Sequence, residues 1–322
     1  ARRRPRHDPR RPIKGDTMGM LDGKIAIVTG AGHGVGRGEA LELAAQGAKV
    51  VVNDLGGSST GEGADQRAAD EVAALIKSRG GEAVANYDDV ADFAGAKRMI
   101  DQAVDAFGKL DVLVNNAGIL RDKMIFSMTE EDFDSVIRVH MKGTFAPMHH
   151  ASVYWREQSK AGNQPRAAII NTASGAGLQG NIGQTNYGGA KAGIAAMTII
   201  ASLELARYGV RANVICPGGM TRLAGTIVKD LELKEPEEYT EFTPMNPQNS
   251  APMVAWLASD EAITVTGQVF RAVGNSISHY LPWTVGTEVI SKDEGKWAPE
   301  DIGNAVYSKI FKSRHPGLQM GG

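Results

Sequence analysis

Short β-branched runs, apolar on both faces, alternate with helix-spaced segments along almost the whole chain, and this alternation leaves few folds open. The runs lie at 25–29, 49–53, 83–87, 111–115, 167–171, 211–215 and 268–273. Between them, 39–46, 64–79, 93–107, 130–158 and 186–207 read as helices, the first of them stopped by Gly47. Strands that are apolar on both faces must be covered on both faces, which is the property of a parallel sheet with helices on each side. Right-handed crossovers then give a doubly wound α/β domain with seven parallel strands. Neither an internal repeat nor a linker divides it, so one domain is expected over 20–280. Residues 222–250 are charged, contain proline and break the rhythm, as a substrate loop or lid does, or a plain surface loop. Residues 281–322 form a C-terminal extension with one amphipathic stretch at 299–311.

Composition excludes several classes. At 322 residues, 42% hydrophobic and 22% charged, the chain can bury a sizeable core. Its net charge of −2 argues against a nucleic-acid binder. That balance hides an asymmetry. Residues 1–17 carry seven Lys/Arg against Asp8 and Asp16, a net of +5, which leaves −7 for the remainder. This leader lacks the apolar core of a secretory signal. It reads as a non-native or translated upstream segment, a disordered arm or a targeting peptide. Met18 and Met20, just before the first strand, favour the first reading, and 1–19 is set aside from the fold. The lone Cys216 forbids an intrachain disulfide, fits a reducing compartment and reads as a buried spectator. No apolar run reaches membrane-spanning length, and no metal site is expected.

Between the first strand and the first helix stands Thr29-Gly30-Ala31-Gly32-His33-Gly34-Val35-Gly36. Glycines there let the backbone turn tightly against a pyrophosphate, which the free N–H groups of the helix start can bind. With the strand–turn–helix context this points to a Rossmann-like dinucleotide site. Asp54 ends the second strand, 24 residues after Gly30. Its carboxylate could accept hydrogen bonds from both ribose hydroxyls and repel a 2′-phosphate, and no arginine follows in Leu55-Gly56-Gly57. That favours NAD over NADP; a merely turn-forming aspartate is the plainer alternative. His33 reads as solvated or brushing the phosphates. Arg37 reads as a phosphate contact or an ordinary surface arginine.

Tyr187 and Lys191 stand four residues apart, on one face of the expected 186–207 helix, with Ser174 thirteen residues earlier. A cation beside a phenol lowers its pKa from about 10 and makes it a usable acid/base. A serine hydroxyl can hold the same substrate oxygen. A Tyr/Lys pair by itself could equally be surface decoration.

Taken in order, the glycine turn, Asn115-Asn116-Ala117-Gly118, Ser174, Tyr187/Lys191 and Pro217-Gly218 resemble the short-chain dehydrogenase/reductase family over about 20–280. The resemblance implies that Gly30, Gly32, His33, Gly34, Val35 and Gly36 lie along the pyrophosphate, that Asp89 and Val90 hold the adenine, and that Asn115 supports the sheet and cofactor edge. It places Asn116, Ala117 and Gly118 beside the cofactor, and Pro217, Gly218 and Thr221 on the nicotinamide. Tyr187 would be the acid/base, Lys191 would bind the ribose and lower the tyrosine pKa, and Ser174 would orient the substrate. Where many members carry an asparagine that supports a relay water, this chain has His140, which reads either as a proton relay or as a core histidine satisfied by a carbonyl.

More closely, 51–57, the insert 56–68, 85–88, 115–122 and 138–140 resemble the dehydrogenase unit of peroxisomal multifunctional enzyme type 2 and its stand-alone bacterial relatives. That implies NAD-dependent oxidation of a 3-hydroxyacyl-CoA in β-oxidation of fatty-acyl or sterol side chains. A free 17β-hydroxysteroid is the second substrate reading, 3-oxoacyl reduction the third, and a non-catalytic nucleotide-binding member of the fold a fourth. The resemblance also implies a homodimer or homotetramer, a hydratase acting as partner on a separate chain, and a location in the bacterial cytoplasm or, in a eukaryote, the peroxisome. Arg121, Lys123, Arg222 and Lys229 are candidate contacts for CoA phosphates. Met220, Leu223 and Ile227 are candidate pocket residues.

Overall fold

The structure, a computed structural model, describes residues 19–63, 65–219, 234–281, 283–291 and 297–312. Met220, Thr221, Arg222, Leu223, Ile227, Lys229 and the basic leader lie outside the described residues. Eight strands form one sheet in the order β3-β2-β1-β4-β5-β6-β7-β8. They are β1 Ile25–Thr29, β2 Lys49–Asn53, β3 Ala83–Asn86, β4 Val112–Asn115, β5 Ala167–Thr172, β6 Val210–Pro217, β7 Val269–Val273 and β8 Ser276–Tyr280. The first seven are parallel, as the alternation requires. The eighth is an addition to the expected seven. It pairs antiparallel with β7 through a tight turn at Gly274, whose φ of 57° suits a residue without a Cβ. Its Ser-Ile-Ser-His-Tyr sequence is exposed along its length, so it carries none of the apolar signal of a central strand.

The helices are α1 Gly34–Ala45, α2 Arg67–Ser78, α3 Phe93–Phe107, α4 Glu130–Ile137, α5 Gly143–Lys160, α6 Gly175–Gln179, α7 Thr185–Leu205 and α8 Ala251–Ala258. Residues of β1 alternate between two cores. Ala26 and Val28 pack with α1, α2 and α8, while Ile25 and Ile27 pack with α3, α5 and α7. The period-two side-chain alternation of a strand thus feeds both faces. Truncating Ile27, fully buried, to Ala would cost about 2–5 kcal/mol.

Two departures from regular structure bear on the site. The expected 130–158 helix is broken by a π turn at Arg138–Lys142, centred on His140. Such turns widen the helix locally and occur often at functional sites. The other is α7, which with its 3-10 continuation to Tyr208 is long and apolar enough to cross a membrane by length and composition. Here it lies against the sheet with Asn186, Lys191, Thr198 and Ser202 buried. Residues 281–322 form a separate compact unit. It carries a helix at Pro299–Ala305, continued by a π turn to Ile310, within the amphipathic stretch seen in the sequence.

Candidate active site

Every strand from β1 to β6 delivers a candidate residue at or soon after its C-terminal end, the edge where open α/β sheets bind ligands. A ladder of asparagines fixes that edge. Asn115 donates to Asn171 Oδ1 at 2.9 Å, and Asn171 donates to Thr198 Oγ1 of α7 at 2.8 Å. Asn53 donates to Asn86 Oδ1 at 2.7 Å. Asn115 therefore supports the sheet as expected; Asn171 and Thr198 continue the ladder without having stood out in the sequence.

The glycine turn is tight for visible reasons. A Cβ on Gly36 would stand 2.2 Å from the Gly30 carbonyl oxygen, and one on Gly30, at φ 62°, would stand 2.7 Å from Ala117 Cα. Asn116 Nδ2 donates to the Thr29 and Gly30 carbonyls, both at 3.1 Å, so this side chain ties β1 to β4. Asp54 accepts from Gly32 N and Gly56 N, both at 2.7 Å. It thus clamps the glycine turn to the insert after β2, and is a turn-forming aspartate in addition to any role toward a ribose. Val90 turns its side chain into the core against Gly143. Asp89 caps its own turn through Ala91 N at 2.8 Å and pairs with Arg138.

His33 and Arg37 each meet a carboxylate from the segment after β6. His33 Nδ1 lies 2.5 Å from Glu235 Oε1, and Gly34 N donates to Glu235 Oε2 at 2.9 Å. Arg37 is nearly buried and forms a forked pair with Glu237, Nε donating at 3.0 and 3.1 Å. Arg37 is thus no ordinary surface arginine, and His33 is half-buried.

Ser174 follows β5 and caps α6, accepting from Ala176 N at 3.2 Å. Tyr187 and Lys191 rise from the first two turns of α7. Asn186 Nδ2 anchors that helix start by donating to Arg121 O at 2.9 Å and Asp132 O at 3.0 Å. A Cβ on Gly177 would meet Ala192 N at 2.6 Å and Lys191 Cβ at 2.8 Å, so only glycine lets α6 close on the lysine. Neither Asn186 nor Gly177 was singled out by the motif reading, although both flank its residues.

The structure brings the three side chains together. Ser174 stands near enough to the Tyr187 hydroxyl to favour its ionised form, and Lys191 Nζ lies 5.6 Å from the tyrosine ring centre. Lys191 donates to Thr172 O at 2.6 Å. Its ammonium does not lower the phenol here. Burial pushes Tyr187 up to about 12, against the opposing influence of Ser174. Burial likewise brings Lys191 down to about 8. The two carboxyl and thiol groups that Lys191 feels are Cys216, pushed by burial up to about 12, and Glu39, pushed up to about 8. Both are largely neutral near pH 7. Glu39 is fully buried with neither oxygen hydrogen-bonded. The sequence hid it within an ordinary amphipathic-looking helix.

His140 stacks edge-on against the Tyr187 ring, 5.2 Å between centres. Its Nε2 lies 2.8 Å from Ile119 O, its Nδ1 has no partner, and burial brings its pKa down to about 3. The ring is therefore neutral, with Nε2 against the Ile119 backbone and Nδ1 buried without a partner. Gly118 makes room for it, since a Cβ there would stand 2.2 Å from His140 Cε1. Arg121 pairs with Glu131 and Lys123 with Asp132, so the two candidate phosphate contacts among the described residues already hold carboxylates.

A family model of the short chain dehydrogenases matches residues 24–231. The chain belongs to the short-chain dehydrogenase family. It is 41% identical to the hydroxyacyl-CoA dehydrogenase ChsB1 of Mycobacterium tuberculosis over 92% of this chain and 91% of that protein. It is 44% identical to peroxisomal multifunctional enzyme type 2 of Drosophila melanogaster over 74% of this chain but only 37% of that longer protein. A crystal structure of a short chain dehydrogenase from Mycobacterium avium superposes with a TM-score of 0.82 at 47% identity, covering 94% of this chain and all of that one.

Proposed function

We propose that this oxidoreductase uses NAD to oxidise 3-hydroxyacyl-CoA thioesters to 3-oxoacyl-CoA. The observation that carries the reading is the meeting of Ser174, Tyr187 and Lys191 at the C-terminal edge of the sheet. The residues around the glycine turn fit a dinucleotide. Gly30 and Gly36 leave no room for side chains, the Gly34 N–H already holds an anionic oxygen, and Asp54 puts a carboxylate beside the turn at the end of β2. NAD is preferred because Asp54 is negative and the nearby guanidinium groups of Arg37 and Arg67 are paired with Glu237 and Asp65.

When bound, the nicotinamide supplies the hydride acceptor for the carbinol carbon. The protein's share is proton handling and orientation. Ser174 Oγ holds the substrate oxygen, and Tyr187, a neutral phenol at rest, takes the hydroxyl proton as its own proton passes outward past Lys191. Lys191, fixed by Thr172 O, keeps a positive charge under the phenol. In the reverse direction the neutral phenol, the form favoured by burial here, returns the proton. His140 serves by packing against Tyr187.

The names of the relatives support the thioester class. So do the apolar side chains beside the approach to Tyr187. Lys123 N donates to Gly183 O at 2.9 Å, which sets 123–126 beside 181–184 and leaves Ile125, Phe126 and Ile182 exposed there. An acyl or sterol chain could lie on them. Exposed Phe145 and Val153 on α5, with Ile200 and Leu203 on α7, favour a homodimer or homotetramer. A hydratase on a separate chain would supply the substrate.

The test offers purified protein matched 3-hydroxyacyl-CoA esters and free 17β-hydroxysteroids, with NAD or NADP, and follows reduced dinucleotide by absorbance. Turnover of a CoA series with NAD is expected. Turnover of the free steroid alone would replace the substrate, and equal efficiency with NADP would remove the role given to Asp54.

A further inference from the structure

The N–H of Gly34 opens α1 and has no acceptor within the helix. It faces the carboxylate of a residue 201 positions away, Glu235, whose other oxygen meets His33 Nδ1 at 2.5 Å. Two residues on, Glu237 forks onto Arg37. Two acids of one 3-10 turn, Pro236–Glu238 and its preceding residue, thus hold two residues of the glycine turn and Arg37 in the first turn of α1. The turn is itself braced. Glu235 N donates to Glu238 Oε2 at 2.5 Å, Asn246 Nδ2 donates to Pro236 O at 3.3 Å, and Pro236 is buried. Glu235 is therefore presented in place rather than resting there by chance.

A carboxylate at a helix start gains from the same free N–H and the same partial positive charge that bind a phosphate. One N–H cannot serve both anions at full strength, and two anions side by side repel. Burial opposes the ionised form of Glu235, yet its contacts with His33 and Gly34 hold the carboxyl below its ordinary pKa. The Gly34 N–H and the His33 ring are thus in use before any ligand arrives.

We infer that Glu235 is a built-in competitor for the dinucleotide pyrophosphate and sets how tightly and how fast the free enzyme takes up its cofactor. This rests on the dinucleotide reading of the glycine turn given above. Binding requires the Glu235 carboxylate to leave Gly34 N and His33. Glu237 keeps Arg37 from offering the incoming phosphates a compensating charge. The affinity of the cofactor is accordingly the difference between two anions competing for one helix start.

The experiment titrates NAD into the enzyme without substrate, reading the dissociation constant by calorimetry and the association rate by stopped-flow fluorescence. Glu235→Gln removes the charge while keeping the shape, Glu235→Ala removes the contact, and Glu241→Gln removes a nearby exposed charge as a control. Both Glu235 variants should bind NAD about tenfold more tightly, with faster association, because charged hydrogen bonds are the strong ones. The control should stay within about twofold. Thermal unfolding gives a second reading: Glu235→Ala should lower the midpoint without NAD and enlarge the rise that NAD produces. Unchanged or weaker NAD binding in both Glu235 variants overturns the inference. Absence of saturable NAD binding in wild type and variants alike would instead overturn the dinucleotide reading, and the inference with it.

Discussion

The catalytic corner and the glycine turn handle buried charge in opposite ways. In the corner, the ammonium of Lys191 is sunk beneath Tyr187 with a backbone carbonyl as its hydrogen-bond partner, and the acids near it are held neutral by burial. In the glycine turn, each basic side chain meets a carboxylate, His33 with Glu235 and Arg37 with Glu237. The uncompensated charge is costly to the fold and available to chemistry. The compensated one is inexpensive and must be undone before a ligand can use it. Stability and function are thus opposed at Lys191, whereas at Glu235 the opposition is between two ligands of one site.

Breaking the corner should give the larger effect. Lys191→Met is expected to lower kcat by roughly 10²–10⁴-fold, as for loss of a group that supports acid–base catalysis. The same change should leave the fold as stable or more so, by up to about 1–3 kcal/mol, because a buried cation with depressed pKa is removed. Steady-state kinetics and urea denaturation on one preparation test both halves; a stability loss together with retained turnover would reverse the comparison. Releasing the turn should act more gently, with the change of about tenfold in NAD affinity expected for Glu235→Gln and no comparable loss of turnover at saturating NAD.

The pH dependence of stability sharpens the contrast further. Glu39 has its folded pKa raised to about 8 from an ordinary 4.5, so between those values the unfolded chain has lost a proton that the folded chain keeps. Its contribution falls as pH rises through that window. Lys191 has its folded pKa lowered to about 8 from 10.5, so above pH 8 the unfolded chain binds the extra proton and stability rises with pH. The two limbs meet near pH 8. Denaturation midpoints across pH should lose the lower limb in Glu39→Gln and the upper limb in Lys191→Met, each limb at most about 1.4 kcal/mol per pH unit. Identical profiles in wild type and both variants would mean that neither group is buried as described.

What the sequence could show followed the range of the interaction. Strands with two apolar faces announced the sheet, and the i, i+4 spacing placed Tyr187 beside Lys191 before any coordinates. The resemblance added the order of the motifs. Long-range partners were invisible: nothing local tells that Glu235 reaches Gly34, or that Glu237 takes Arg37. Glu39 looked like the polar stripe of α1, but every residue from Gly36 to Ala44 is buried, because that helix is covered by neighbours as well as by the sheet. The strand β8 escaped because an exposed edge needs no apolar pattern. The expected lowering of the tyrosine pKa failed for an energetic reason: desolvation of the phenol outweighs what Ser174 returns, and Lys191 is turned toward Thr172.

The central claim is that Tyr187 moves the proton while other residues hold the cofactor. Its most direct test measures NADH formation from a 3-hydroxyacyl-CoA, and NAD binding, on the same preparation of Tyr187→Phe. Turnover reduced by at least about 10³-fold with an NAD dissociation constant within about twofold of wild type is the predicted result. Turnover near the wild-type rate would contradict the account.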